Sequence, residues 1–511
     1  MLPRTADREA IFAQIEALGG ATDANIRTVS KSTGVPEADI HGVVSFYHLL
    51  ARPNVERRVC QGLTCWIAGA DDVIAQMRAA GHSVDAVSCL GQCDRPVPIL
   101  DKGHELVDPR QRGAVTPDDP DLPMNLGGAD DDRYLALAKA REMGPDAIIE
   151  AIDASGLQGR GGAGFPAAFK WRAVRNQTET ERYLVCNADE GEPGTFKDRE
   201  VMLLRPHLML EGLAIAAVAV QAQEIIIYIR GEFGACKRAL QGALAKAGDA
   251  LDGLTYRFAE GHGAYICGEE TALLEALEGR RGMPRLKPPY PTEHGFRGKP
   301  TLMNNVETLA CVPSIILRGG QWFRDQGRTE AGSKLYCISG HIERPGIYEL
   351  PLGATLDELV DAAGGYVGTP LAFSPGGASS GFLPMKYRDV PLDFGGLVKI
   401  GSMLGSAGVV VLNDTVDLAS AALSQAIFFE DESCGQCTPC RVGARHLRRM
   451  LESYLASGDP GELIHIDDLA WEMREGSICG LGIAAPDPIA SAMVHFPEAF
   501  GRRAPAAETS T

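Results

Sequence analysis

The cysteines carry the most distinctive chemical pattern in this 511-residue chain, which has thirteen of them. Eight fall into two sets of four, one set toward each end. The carboxyl-terminal set is Cys434, Cys437, Cys440 and Cys479. A C-x-x-C-x-x-C run with one distant cysteine is the ligand pattern of a [4Fe–4S] cluster. Structural zinc sites more often combine two separate pairs, so the spacing favours iron–sulfur, with zinc as the alternative. Helical spacing of the apolar residues on both sides of the triplet predicts flanking helices.

The amino-terminal set has a different spacing, C-x4-C followed by C-x3-C, formed by Cys60, Cys65, Cys89 and Cys93. Four thiolates in a predicted strand–helix–strand unit suit a [2Fe–2S] cluster. A zinc site, or a former cluster site that no longer binds metal, is the alternative. The remaining cysteines stand alone, and we expect them to be small buried hydrophobic residues: Cys186, Cys236, Cys267, Cys311 and Cys337.

A glycine-rich stretch, "GRGGAGFP" at 159–166, has the spacing G-x-G-x-x-G. The dinucleotide fingerprint of a Rossmann fold requires a strand directly before these glycines. The preceding residues, "GPDAIIEAIDASGLQ", instead show apolar positions at helical spacing. Because each glycine costs conformational entropy, this density favours a loop whose N–H groups face an anion over a plain turn. Lys170, shortly after, could join such a site.

An acidic stretch, "DEGE" at 189–192, follows the apolar run "YLVC". Alone it would be typical of a solvated loop. At the carboxyl end of a predicted strand it favours a binding role, because ligands of open α/β sheets bind there.

The overall composition excludes several functional classes. The chain has a net charge of −18 and 45% hydrophobic residues. The hydrophobic content therefore predicts a folded protein with hydrophobic cores, and the negative charge predicts no nucleic-acid partner. No signal peptide and no apolar run of transmembrane length is evident, so we expect a cytoplasmic protein without direct membrane insertion. The short apolar run "GLAIAAVAV" at 212–220 predicts a buried helix.

Several long stretches resemble one family, the diaphorase subunits. The stretches are 159–171, "NADEGEPGTFKDRE" at 187–200, "YICGEETALLEALEGRRGMPRLKPPYP" at 265–291, "NNVET" at 304–308 and the SCGxCxPCR run. They resemble the FMN-bearing, NADH-oxidising subunit of complex I and its relatives in bidirectional hydrogenases and NAD-dependent formate dehydrogenases. The first 110 residues resemble the small thioredoxin-like [2Fe–2S] subunit of the same machines. Two subunits that are often separate are thus expected to be fused here.

The resemblance implies an α/β multidomain chain. We expect a thioredoxin-like domain, a Rossmann-like FMN-binding α/β sandwich, a ubiquitin-like β-grasp domain of the SLBB type and a carboxyl-terminal helical bundle with an iron–sulfur cluster. The predicted boundaries are a helical segment at 1–50, the thioredoxin-like domain at 55–107, a linker at 108–129, the FMN/NAD domain at 130–325, the ubiquitin-like domain at 332–414, the helical [4Fe–4S] domain at 416–500 and a disordered tail at 501–511.

The resemblance also implies roles for individual residues. The loop around the FMN phosphate would be Gly159, Gly161, Gly162, Ala163 and Gly164, with Lys170 beside the flavin. The isoalloxazine pocket would be lined by Asn187, Asp189, Glu190, Gly191, Asn304 and Asn305. The NAD contacts would be the aromatic rings of Phe165 and Tyr290 and the polar groups of Glu192, Glu269, Glu270 and Lys287. Tyr290 stands where this family often has phenylalanine.

The expected function follows from the cofactors that the resemblance implies: FMN, NAD(H), one [4Fe–4S] cluster and one [2Fe–2S] cluster. NADH gives up a hydride, iron–sulfur clusters take single electrons, and flavin does both. No side chain is assigned as acid or base in the hydride step. We expect an iron–sulfur-rich catalytic partner, the alpha subunit of a molybdenum or tungsten formate dehydrogenase. A bidirectional hydrogenase, complex I and, more distantly, a non-catalytic iron–sulfur scaffold are the alternatives.

Overall fold

The amino-terminal part of the chain is helical. The computed structural model describes residues 7–107 and 111–501. The first of its helices are Ile11–Ala17, Asp23–Thr33, Glu37–Val44 and His48–Ala51. Helix Asp23–Thr33 begins where the Thr22 side chain accepts a hydrogen bond from Asn25 N–H, and it ends at Gly34 in the left-handed conformation.

A three-stranded sheet positions the amino-terminal cysteines. Its strands are β1 (Arg57–Cys60), β2 (Val84–Val87) and β3 (Ile99–Asp101), in the order β2-β1-β3. Strands β1 and β2 are parallel, and they are joined through helices Leu63–Ile67 and Ala70–Ala79. Cys60 ends β1, Cys65 lies in the first of these helices, and Cys89 and Cys93 follow β2. This crossover brings residues far apart in sequence to one end of the sheet.

Part of the predicted linker is integrated into the fold. Residues Ala114–Val115 form strand β4, which pairs in parallel with Gly346–Pro351. Met124 and Leu126 are buried. The Glu349 carboxylate accepts hydrogen bonds from the backbone N–H groups of Met124 and Asn125. The Pro-, Gly- and Asp-rich composition indicates turns here, but these turns are fixed against the body. Residues 108–110 lie outside the described residues.

A parallel four-stranded sheet forms the centre of the chain. Its strands are β5 (Tyr183–Ala188), β6 (Glu224–Ile229), β7 (Tyr256–Glu260) and β8 (Thr301–Asn305), in the order β7-β6-β5-β8. Parallel strands need long crossovers, and here helices supply them. The helices of this layer, which include the crossovers, are Leu135–Met143, Pro145–Ser155, Ala167–Arg175, Lys197–Leu204, Pro206–Val220, Gly234–Ala247, Glu270–Leu277, Pro291–His294, Val306–Ala310, Val312–Arg318 and Gly320–Arg324, with short 3₁₀ turns at Gly248–Leu251, Tyr265–Gly268 and Phe296–Gly298.

The most apolar helix, Pro206–Val220, lies in the core of this layer, with almost every residue buried. The structure thus confirms the buried helix that its apolar run predicts. Within the described ranges, no single helix is long and apolar enough to cross a membrane. Helices Lys197–Leu204 and Pro206–Val220 pass that test only as a pair, and they are bent by 99°.

A six-stranded mixed sheet follows, in the order β12-β11-β13-β9-β10-β4. The added strands are β9 (Ser333–Gly340), β10 (Gly346–Pro351), β11 (Pro370–Ser374), β12 (Leu383–Pro384) and β13 (Gly408–Asn413). Helix Leu356–Ala362 packs on it and begins with a reciprocal capping box between Thr355 and Glu358. A shorter helix, Phe394–Val398, and 3₁₀ turns at Ala378–Ser380 and Met385–Tyr387 complete this part.

The carboxyl-terminal part is a helical bundle. Its helices are Leu418–Asp431, Thr438–Ser457, Ile466–Gly476, Gly480–Ala484 and Asp487–His495, with 3₁₀ turns at Pro460–His465 and Pro497–Phe500. The helices predicted on both sides of the cysteine triplet are therefore confirmed. Most of the predicted tail, residues 502–511, lies outside the described residues.

Candidate active site

The glycine loop lies between helices Pro145–Ser155 and Ala167–Arg175. The prediction that a helix precedes the loop is therefore confirmed. Gly162 and Gly164 have φ values of +150° and +62°, which L side chains rarely adopt. A Cβ at Gly161 would meet Asn305 Cβ at 3.0 Å, and one at Gly164 would meet the Phe394 ring at 2.8 Å. The loop thus needs glycine for both conformation and close packing.

A cavity of about 380 Å³ lies against this loop, at the carboxyl ends of β5 and β8. It collects most of the residues that the sequence pointed to. Those in its lining are Gly161, Gly162, Ala163, Asn187, Asp189, Glu190, Gly191, Glu192, Glu269 and Asn305. Bare backbone, carboxylates and amides thus surround one space.

Other predicted residues do not line the cavity itself. Asn304 is buried, and its Oδ1 accepts a hydrogen bond of 2.8 Å from Trp171 Nε1. It therefore anchors the helix that follows the glycine loop. Gly159 N–H donates to the Phe165 carbonyl, which closes the base of the loop. The rings of Phe165 and Tyr290 are exposed, at 43% and 52%.

An ion cluster joins four of the predicted residues. Lys170 Nζ lies 2.8 Å from Glu270 Oε2. Lys287 Nζ lies 3.0 Å from Glu269 Oε1 and 3.2 Å from Glu270 Oε1. Burial opposes ionisation of Glu270, but the two lysines outweigh it and lower the pKa of this carboxyl. Glu270 is thus a charge-balanced anion.

Sequence reasoning missed several residues of the cavity. Lys197 and Asp198 lie in the wall, and Lys197 is ion-paired with Asp198 and Glu307 at 2.8 and 3.0 Å. Asp198 accepts a hydrogen bond of 2.6 Å from Asn305 Nδ2. Their signal was available, since both lie in the quoted stretch 187–200. Tyr265 lies in the quoted stretch 265–291 as well. Residues of other layers had no local signal and come from distant elements: Gly376, Ser379, Met403, Gly405, Ser406, Gly480, Leu481 and Ala484.

Burial makes three carboxyl groups of the cavity hard to ionise. It raises the pKa of Asp189 to about 8 and that of Glu190 to about 7. Glu190 nevertheless accepts hydrogen bonds from the N–H groups of Asp198 and Arg199. Burial also raises the pKa of Glu192, which accepts hydrogen bonds from the Tyr265 hydroxyl and from Ser379 N–H.

The four carboxyl-terminal cysteines lie together at one end of the helical bundle. Cys434 and Cys437 precede helix Thr438–Ser457, Cys440 is in its first turn, and Cys479 caps helix Gly480–Ala484. Burial, followed by the neighbouring thiols of the set, raises the pKa of Cys440 to about 12.

The surroundings of these cysteines fit a cluster. Among the residues that the structure describes, Ser477 Oγ is buried without a hydrogen-bond partner. A Cβ at Gly482 would lie 2.4 Å from this hydroxyl and 2.8 Å from Cys440 Cβ, so both groups face the same spot. An unpartnered donor beside four thiols suits a group that carries sulfur acceptors. Gly480 and Leu481, directly after Cys479, line the cavity described above.

The four amino-terminal cysteines are all buried. Cys60 contacts Cys65 and Cys89, and Cys89 contacts Cys93. The Cys60 thiol and burial raise the pKa of Cys89 to about 12. The five lone cysteines are also buried, as predicted.

The zinc alternative needs ligand sulfurs that converge at about 2.3 Å on one ion. Within residues 7–107 and 111–501, no group of three or more His, Cys, Asp or Glu side chains is placed to hold a single metal ion. Zinc and a cluster both require converging thiolates, so the preference for a cluster rests on the ligand sets described above and not on this finding.

Comparison with known families assigns four regions of the chain. Residues 152–314 match the Nuo51 FMN-binding domain, and residues 420–503 match the NADH-ubiquinone oxidoreductase-F iron–sulfur binding region. Residues 335–383 match the SLBB domain, and residues 12–112 match the thioredoxin-like [2Fe–2S] ferredoxin.

Comparison with individual relatives supports the same family assignment. The second NADH-quinone oxidoreductase F-subunit of Rhizobium meliloti (strain 1021) is 46% identical over 386 residues, which is 72% of this chain and 91% of the relative. The chain belongs to the NADH-quinone oxidoreductase F-subunit family. The corresponding protein of Mycobacterium tuberculosis (strain ATCC 25618 / H37Rv) is 44% identical, and the match covers 72% of this chain and 86% of that protein's length.

Solved structures extend the likeness beyond NADH-quinone oxidoreductase. A crystal structure of an NAD⁺-reducing [NiFe]-hydrogenase in the air-oxidised state has a chain with a TM-score of 0.89 and 31% identity. It covers 98% of this chain and 94% of its own length. The H₂-reduced state of such a hydrogenase gives a TM-score of 0.89 at 32% identity. A chain that combines the same parts thus exists in another oxidoreductase.

These findings confirm the predicted family, fold class and cofactors. The protein is an NADH oxidoreductase of the diaphorase type, with FMN, NAD(H), [4Fe–4S] and [2Fe–2S] as its cofactors. It has thioredoxin-like, FMN-binding, SLBB and iron–sulfur helical parts.

Proposed function

We propose that this chain oxidises NADH at an FMN in the 380 Å³ cavity and passes the electrons to an iron–sulfur-rich catalytic partner. The observation that carries the proposal is the shared wall between cavity and cluster. Gly480 and Leu481 line the cavity, and the preceding residue, Cys479, belongs to the [4Fe–4S] set. Bound flavin would supply the conversion from hydride to single electrons.

The glycine loop is assigned to the FMN phosphate. Its N–H groups and unusual φ values leave open backbone at the cavity wall. Asn187, Asp189, Glu190, Gly191 and Asn305 are assigned to the flavin ring. Asn304 acts indirectly, through its hydrogen bond with Trp171.

The nicotinamide nucleotide is assigned to the exposed side of the site. Phe165 and Tyr290 offer exposed ring faces for stacking. Glu192 and Glu269 line the cavity, and Glu270, Lys170 and Lys287 extend it as an ion cluster. Carboxylates accept hydrogen bonds from ribose hydroxyls and from an amide NH₂.

The [2Fe–2S] site is assigned to a position behind the same cavity. Arg230 donates to the carbonyl of Cys89 at 2.7 Å and to the carbonyl of Glu190 at 2.5 Å. One guanidinium therefore bonds the loops of both redox sites. Because Glu190 lines the cavity, the amino-terminal cluster would lie close to the flavin.

The test of this electron path is Cys479→Ser. We expect the [4Fe–4S] EPR signal to be lost or converted while NADH still bleaches the flavin, because hydride transfer precedes cluster reduction. Cys236→Ser is the matched control, since Cys236 is a lone buried cysteine. An unchanged cluster signal in Cys479→Ser would remove this residue from the ligand set.

For the partner, we propose the alpha subunit of a molybdenum or tungsten formate dehydrogenase. The ground for this proposal is the resemblance of the fused chain to the diaphorase subunit of such dehydrogenases. A bidirectional hydrogenase is the second candidate, favoured by the hydrogenase chain that covers 98% of this one. Metal analysis of the complex purified from its native host decides between them: molybdenum or tungsten supports the first, and nickel the second.

A further inference from the structure

A small enclosed cavity of about 10 Å³ separates the flavin cavity from an open cleft of about 460 Å³ on its other side. It shares Asp189, Gly191 and Tyr265 with the lining of the flavin cavity. It shares His48, Ala264 and Glu432 with the lining of the open cleft. The three spaces are therefore neighbours in a row, with single layers of residues between them.

Two buried polar atoms with no partner belong to side chains that line the small cavity. Among the described residues, neither Asp189 Oδ2 nor His48 Nε2 has a hydrogen-bond partner. The nearest carboxylate to His48 Nε2 is Glu232 Oε1, at 3.6 Å, beyond hydrogen-bond distance. An unpaired buried acceptor costs about 1–3 kcal/mol. A space of roughly 10–15 Å³ holds one water, which needs two or more polar partners.

From this geometry we propose that the small cavity binds one ordered water between Asp189 and His48, and that these three groups form the route by which protons leave the flavin cavity for solvent. The water site follows from the cavity and the unpaired atoms alone. The proton route rests on the proposed function.

The reaction requires such a route. Oxidation of NADH to NAD⁺ with passage of both electrons to the clusters leaves one proton to be released. The clusters accept the electrons but not this proton. The Asp189 carboxylate accepts it, and the water receives it and gives a proton to His48 Nε2. The imidazolium then releases a proton into the open cleft, and a turn of the ring restores an unprotonated Nε2. Each group returns to its starting state, so no further reactant is needed.

The charges around Asp189 are consistent with this role. Burial raises its pKa to about 8, a value suited to taking and giving a proton near neutral pH. Arg230 opposes this shift, whereas Glu232 and Glu432 add to it. Tyr47, Tyr228 and Cys267 also face Asp189. Cys89 and Tyr265 line the small cavity beside it.

A high-resolution crystal structure of the FMN- and cluster-loaded protein tests the water site. We expect an ordered water within hydrogen-bond distance of both Asp189 Oδ2 and His48 Nε2. An empty cavity, or a water that contacts neither atom, overturns the proposal. This test does not depend on catalysis, so it stands even if NADH fails to reduce the flavin, a result that would contradict the proposed function instead.

Stopped-flow mixing with NADH and a pH-indicator dye tests the route. In His48→Leu we expect flavin bleaching at the wild-type rate and proton appearance slowed by about tenfold or more. Added imidazole should restore part of the rate by entering the open cleft. His82→Leu is the control, because His82 is exposed and paired with Glu56 on the thioredoxin-like part. Proton release at the wild-type rate in His48→Leu, with full FMN and iron content, overturns the route.

Discussion

Gly162 shows how one residue can define the cofactor cavity. Its φ of +150° is rarely adopted by L side chains, and a Cβ there would meet nothing within 4 Å because it would project into open space. In Gly162→Val, a β-branched side chain would enter the cavity and strain the loop. We expect the purified variant to lose FMN, measured by its absorbance after denaturation.

The control for this variant is Gly144→Val. Gly144 has a φ of +80° and open space around its Cβ position, but it is not in the cavity lining. It should lose stability and keep FMN. Stoichiometric FMN in Gly162→Val would contradict the assignment of the loop.

Glu270 is the residue on which we expect the preference for NADH over NADPH to depend. Its carboxylate would accept a hydrogen bond from a ribose 2′-hydroxyl and repel a 2′-phosphate. At about 4 Å and an effective dielectric near 20, two unit charges repel by roughly 4 kcal/mol. Lys170 and Lys287, at 2.8 and 3.2 Å, balance much of that charge. We therefore expect discrimination of about 1 kcal/mol, or roughly fivefold.

Glu270→Gln should raise kcat/KM for NADPH by about that factor relative to NADH. The matched control is Glu275→Gln, on the same helix but paired with Arg280 and Arg285 and not with Lys170 and Lys287. An unchanged NADH/NADPH ratio in Glu270→Gln would place the discrimination elsewhere.

At the scale of elements, local patterns predicted much of the site. Helical spacing before Gly159 correctly separated the loop from a Rossmann fingerprint, and the run "YLVC" placed Asp189 after a strand. The opposite wall could not be predicted. Gly376, Gly405 and Leu481 reach the cavity only because the mixed sheet and the bundle pack against the central layer. Such long-range contacts leave no periodic signal in the sequence.

The segment around β4 offers a prediction about pH. Burial raises the pKa of Glu349 to about 7, against an ordinary value of 4.5, although Ser333, Met124 and Asn125 all donate to it. The folded state thus favours the neutral acid. Its stabilising contribution is complete below the ordinary pKa and is lost as the pH rises through about 7.

Amide exchange at Met124 and Asn125, corrected for the intrinsic rate, should show lower protection at about pH 8 than at about pH 5, by up to roughly 3 kcal/mol of opening free energy. Glu349→Gln should remove this pH dependence, because the amide does not titrate. If amide protection falls equally with pH in the wild type and in Glu349→Gln, Glu349 is not the source of the pH dependence.

At the scale of the whole molecule, buried charges join the thioredoxin-like part to the FMN-binding part. Arg199 donates to both oxygens of Asp94 at 2.9 Å and also to the Gly91 carbonyl. Both side chains of this ion pair are almost fully buried. The residues between Cys89 and Cys93 are thereby held against helix Lys197–Leu204. The contacts that dock the two parts therefore also position the amino-terminal cluster.

Asp94→Ala should therefore loosen the contact between the two parts without unfolding either core. Removing one partner of a buried ion pair leaves the other charge uncompensated, at a cost of about 3–5 kcal/mol. Glu200, 2.9 Å from Arg199, keeps the cost toward the lower end. We expect the iron content to fall from about six per chain, the total for both clusters, toward about four, the content of the [4Fe–4S] cluster alone. FMN should remain bound.

The control is Asp72→Ala, at an exposed position on helix Ala70–Ala79. If Asp94→Ala keeps about six irons and is cleaved within residues 94–107 no faster than the wild type, the ion pair does not hold the two parts together.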